Sequence, residues 1–76
     1  MKRYVGTKYL FAKPMTRSEY NSYRGWDLPE NEKHLANDLG YLVEYENGGG
    51  PNHPNHVGYI SWSPKQVFED TYKEVQ

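Results

Sequence analysis

The sequence predicts an α+β fold, a small three-stranded and mostly antiparallel sheet with two short helices packed on one face. Three observations carry that expectation. Two segments open with helix-capping signals, Thr16 with Glu19 and Ser63 with Gln66. Three others alternate in polarity with the two-residue period of a strand. The order strand, helix, irregular segment, strand, strand, helix then suits two packed layers.

The first strand is Thr7 to Lys13, where Leu10 and Ala12 share one side and Tyr9, Phe11 and Lys13 the other. Pro14 ends it, because proline has no N–H to give a ladder. The first helix follows from Arg17 to Arg24. Thr16 is its cap, Met15 and Tyr20 form a hydrophobic staple, and Gly25 is a left-handed stop. Two turns cannot persist alone in water, so the ring face of Tyr20, Tyr23 and Trp26 must dock. Asp27 to Leu39 reads as a polar surface segment, either loop or short helical turn about Pro29.

The second strand begins at Gly40. Tyr41, Val43 and Tyr45 are expected inward, with Glu44 and Glu46 wet on the other face. Residues 47–58, rich in Gly, Pro and Asn, form a flexible loop, and Tyr59 to Trp62 return as the third strand of a long-looped hairpin. In the last helix Pro64 takes the first position, and Val67, Phe68, Thr71, Tyr72 and Val75 form an apolar stripe.

Seventy-six residues make one domain, 1–76, whose narrow stability margin rests on rings: eight Tyr, two Trp and two Phe are 16% of the chain, inside an apolar fraction of only 36%. Without cysteine there is neither a disulfide framework nor a thiolate zinc site. Nine Lys/Arg against ten Asp/Glu give a net charge of −1, which argues against a nucleic-acid binder. No apolar run is long enough to cross a membrane, and the start reads as that of a soluble cytosolic chain without a secretion signal.

Catalysis finds little footing. His53 and His56 have a two-ligand spacing, but a flexible loop without a third ligand predicts two exposed histidines and no metal. Glu44 and Glu46 read as solvated strand carboxylates, and the Gly48–Gly50 run lacks the Lys-Ser/Thr of a phosphate loop. Neither an enzyme nor a cofactor is expected. Binding fits better. Arg24, with Asn21 one turn earlier, sits beside Tyr23 and Trp26, which suits a base on a ring and a phosphate on a guanidinium. Ser63 and Lys65, at the start of the last helix, form a second phosphate-holding element. Asn52, His53, Asn55 and His56 on the loop are the candidate partner-binding surface.

Three blocks stand out: Glu19-Tyr20-Asn21-Ser22-Tyr23-Arg24-Gly25-Trp26, Gly40-Tyr41-Leu42-Val43-Glu44-Tyr45, and Gly58-Tyr59-Ile60-Ser61-Trp62-Ser63-Pro64-Lys65 with Val67-Phe68-Glu69. In this order they resemble a family of small proteins of tailed bacteriophages and prophages, over nearly the whole chain. The resemblance brings no catalytic residue. It implies a phage accessory product acting in the host cytoplasm by stoichiometric binding, as a counter-defence inhibitor of a host bacterial protein or as a sponge for a nucleotide second messenger. The alternative is a nucleic-acid-associated phage regulator. A homo-oligomer formed through an open sheet edge is compatible with either reading.

Overall fold

Leu42 and Val43, adjacent on one strand, are both buried to within 1% of full exclusion from solvent. Neighbouring residues of a strand point to opposite faces, so this strand is covered on both sides. That fact organises the molecule, which a computed structural model describes at residues 1–6, 9–46 and 50–75.

The sheet has five antiparallel strands: β1 (Lys2–Val5), β2 (Tyr9–Pro14), β3 (Gly40–Tyr45), β4 (Tyr59–Pro64) and β5 (Lys73–Glu74). They lie in the order β4-β3-β2-β1-β5. The expected strands are all present, while β1 and β5 are additions. Lys2, Arg3 and Tyr4 lie in β1, where Tyr4 pairs with Leu10 on one side and Glu74 on the other. The expected strand start at Thr7 and loop residues 47–49 lie outside the described residues.

Helix α1 (Arg17–Arg24) has the ends its sequence prescribes. Thr16 Oγ1 accepts from the Glu19 N–H at 3.1 Å, and Glu19 Oε1 accepts from the Thr16 N–H at 2.8 Å. Gly25 closes the helix at φ 76°, a left-handed conformation that glycine adopts without a Cβ penalty. Residues Glu30–Leu35 form a 3-10 helix, settling the ambiguous segment as a helical turn. It leads into carbonyls that receive α1: the Arg17 and Ser18 N–H groups donate to Asp38 and Ala36.

The second helix, α2 (Lys65–Thr71), departs from expectation at both ends. Ser63 belongs to β4, and Pro64 stands at the cap with no side-chain hydrogen bond. Gln66 donates to Asp70 instead of completing a capping box. The helix stops at Thr71, because Tyr72 is extended and the chain turns to pair as β5. Val75 therefore lies beyond the helix, and Val67 is exposed.

The helices also lie on opposite faces of the sheet, not one. Phe68 of α2 packs with Leu10, Ala12, Tyr41 and Val43, flanked by Tyr4, Tyr45 and Tyr72. Tyr20 of α1 packs with Leu42 and Ile60, flanked by Met15, Tyr23 and Trp62. The register fixes this parity, since Leu10 pairs with Tyr45, and Leu42 with Trp62. Tyr41 and Leu42 are both apolar, so β3 had an inward side for each helix.

At the β4 edge, Asn52 acts as a substitute strand. Its carboxamide donates to the Ile60 carbonyl at 2.9 Å and accepts from the Ile60 N–H at 2.7 Å. An edge residue that would otherwise leave both groups unpaired is satisfied by one side chain. No described helix is long and apolar enough to cross a membrane.

Candidate functional site

A groove of about 550 Å³ runs between α1 and β4. Its near wall follows from helical spacing: Arg17, Asn21 and Arg24, at i, i+4 and i+7, share one face of α1 beside Tyr20. Trp26 continues that wall past the Gly25 turn, while Asn52 and the β4 run Tyr59–Trp62 make the far one. The volume lies in the range, roughly 300–1,000 Å³, of small-molecule sites.

The groove is cationic and ring-walled. The Arg24 guanidinium lies 4.3 Å from the centre of the Trp26 ring, and its Nη1 donates to the Tyr20 hydroxyl at 2.8 Å. Arg17 sits 5.7 Å from the Trp62 ring centre and pairs with Glu32 at 2.7 Å. The Arg17 Nε is buried with no hydrogen-bond partner. Arg24 has no carboxylate in ion-pair range among the described residues. No Asp or Glu is among the described residues lining the groove.

The structure divides the residues expected to bind a ligand. Asn21, Arg24 and Trp26 come together in the groove, and Asn52 joins them from the loop. Tyr23 turns to the loop side of α1, where it contacts both His53 and His56. Ser63 and Lys65 do not meet the arginines: Lys65 lines a smaller groove of about 300 Å³ with Pro14, Leu39 and Tyr41. The Lys65 N–H is committed to the Leu39 carbonyl at 3.0 Å, so that donor of the α2 start is spent. Sequence reasoning does not single out Arg17 and Trp62, which also line the groove. The i, i+4, i+7 row of Arg17, Asn21 and Arg24 was the available signal for the first; pairing alone reveals the second.

Within residues 50–58 both histidines are engaged inside the chain. The His53 ring stacks on Tyr23 at 4.4 Å and 10°, and His56 is bonded on both nitrogens. His56 Nδ1 lies 2.7 Å from Glu44 Oε1, and Nε2 lies 2.7 Å from the Tyr23 hydroxyl. In the neutral ring, Nδ1–H donates to the carboxylate and Nε2 accepts from the phenol. The other Glu44 oxygen accepts from the Gly58 N–H at 2.8 Å. A side chain at Gly58 would meet the Tyr45 carbonyl at 2.4 Å, which keeps this position bare.

Glu44 is thus buried, at 7% exposure, and not wet as its alternation suggested. Burial pushes its carboxyl up, but His56 and the Gly58 and Val57 N–H groups outweigh it and hold the group below the usual glutamate value. Asn55 remains exposed, its N–H donating to His53 Nδ1 at 3.1 Å. Among the described residues, no set of three or more His, Cys, Asp or Glu is placed to hold a metal ion. Comparison of the chain with protein-family models, with curated proteins and with solved structures gives no match.

Proposed function

We propose that the protein is a non-enzymatic binder that takes a flat anion of the nucleotide class, one per chain, in the groove between α1 and β4. Its action is stoichiometric: a sponge for a nucleotide signal, or an inhibitor whose accessory role follows from the phage-like sequence blocks. The observation that carries this reading is a ring-walled groove with two guanidiniums and no lining carboxylate, in a chain whose net charge is −1. Arg17 is paired with Glu32, but the Arg24 guanidinium beside the Trp26 indole has no ion-pair partner among the described residues, which suits a phosphate held in the plane of its fork and a base laid on a ring.

Glu44, His56 and Tyr23 have the acid–imidazole–hydroxyl order of a nucleophilic site, yet none of the three lines a described groove. Their bonds join loop, helix and sheet, which favours fastening over chemistry. The loop's role as a partner surface has correspondingly little support, because Asn52, His53 and His56 are engaged within the chain.

A thermal-shift and calorimetry panel of AMP, GMP, cyclic mononucleotides and cyclic dinucleotides tests the reading. A ligand at ten times its Kd adds about 1.4 kcal/mol of stability, a shift of several degrees in a domain this small. Arg24→Ala should abolish that shift while leaving the unliganded Tm within a degree or two. Absence of any shift across the panel sinks the nucleotide reading. Retention on a polynucleotide that weakens steeply with salt would favour the nucleic-acid alternative instead.

A further inference from the structure

The groove's far wall is made partly by a loop, and loops hold position only where something ties them. Four ties act on residues 52–58. Asn52 is bonded to Ile60, His53 is stacked on Tyr23, His56 bridges Glu44 and Tyr23, and Gly58 donates to Glu44. A further bond, from the His56 N–H to the His53 carbonyl at 3.2 Å, makes the segment a single turn. Two of the four ties end on one carboxylate.

We infer that Glu44 is a positioning residue for the groove: by fastening His56 and Gly58 it holds the loop against α1, and so holds Asn52 in the wall. The inference rests on the groove being the binding site. Glu44 touches no groove space itself, and its influence travels through the loop. The environment makes the tie one-sided. Phe11 of β2 and Ile60 of β4 flank Glu44 in the sheet, and His56 is the one ionisable side chain bonded to it among the described residues. Beyond His56, among the described residues, stand the Tyr23 phenol of α1 and the His53 ring of the same loop.

Acid is the natural probe. Because the folded carboxyl lies below its ordinary value of 4.5, its contribution is complete above that value and is lost as pH falls through the lowered one. Protonated Glu44 keeps fewer acceptor sites for the imidazole and the Gly58 N–H, so the loop should loosen before the sheet unfolds.

Amide hydrogen exchange on the intact chain reads this directly, since the Gly58 N–H is bonded to Glu44 and the Ile60 N–H to Asn52. In wild type, protection at both amides should fall together below pH 4.5, with the β1–β2 amides unchanged. Glu44→Gln should show at least tenfold lower protection at both amides at pH 7, with no further acid step. AMP affinity should fall about tenfold in Glu44→Gln and in Asn52→Ala. Loss at Gly58 with Ile60 intact overturns the inference, as does equal loss throughout the sheet. If Glu44→Gln does not fold, Tyr23→Phe, which removes one bond at the far end of the chain, should loosen the same two amides; unchanged protection there also overturns it. Should wild type bind neither AMP, GMP nor inorganic phosphate, the groove reading alone fails, because the Ile60 amide still reports whether Glu44 positions Asn52.

Discussion

Tyr41 places a phenol under the edge of α2, where its hydroxyl donates to Glu69 Oε2 at 2.5 Å. That bond to a carboxylate, with burial adding to it, pushes the phenol from 10.0 up to about 12. The neutral form is the one the fold favours. Its contribution to stability is therefore complete below pH 10 and disappears as pH rises towards 12. Absorbance titration of the tyrosinates should show the last ring lagging near pH 12, beyond Tyr4 and Tyr72, which burial also raises, and Glu69→Gln should bring it back towards 10. A ring that titrates with the others would mean Tyr41 and Glu69 are not joined in solution. At this scale the sequence is legible where chemistry is local. Thr16 and Glu19 are three residues apart, and their reciprocal bonds needed no knowledge of the rest of the chain. Glu44 and His56 are twelve apart, across a turn, and alternation alone assigned the carboxylate to water.

The two helices show how much an element's surroundings decide. Helix α1 has both caps from its own sequence, and its predicted span matches the observed Arg17–Arg24. Helix α2 lacks a side-chain cap and depends on packing, chiefly through Phe68, which is 1% exposed against three tyrosine rings. Phe68→Ala should cost about 3–5 kcal/mol in urea unfolding, most of what a chain this size can hold. Val67→Ala, at an exposed site, should stay within about 0.5 kcal/mol. Equal effects would show that the apolar stripe, and not the single ring, carries the docking. The stripe misled at its far end: Tyr72 belongs to the same core as Phe68, but from an extended backbone. Helical spacing and a bend into a strand present the same residue types there, and only the partner strand distinguishes them.

For the whole molecule, the structure departs furthest from expectation in its layers. An apolar run of Tyr41, Leu42 and Val43 signals a strand covered twice, and taking only one side as inward put both helices on one face. Strands β1 and β5 were hidden for another reason, because Lys2, Arg3, Lys73 and Glu74 gain strand character only from each other and from β2. The loop changes most. Chain entropy alone makes shortening it inexpensive, since closure cost varies slowly with length. The bonds say otherwise. Deleting residues 50–55 removes the carboxamide bonded to Ile60 and the ring stacked on Tyr23, leaving a part-buried N–H and carbonyl without those partners. That variant should lose about 2–4 kcal/mol in urea unfolding, and an unchanged midpoint would show that Asn52 is dispensable.

The Asn52 carboxamide also governs how one molecule meets another. An open strand margin invites a neighbour's backbone to dock and then offers a fresh margin of its own, the first step towards stacked, self-propagating assemblies. Here the β4 margin is already filled at Ile60 by the molecule's own side chain, and Pro64 ends the strand with a residue that has no N–H to lend. The same contact that shapes a wall of the proposed groove thus leaves one open donor–acceptor pair fewer for a second copy along that side.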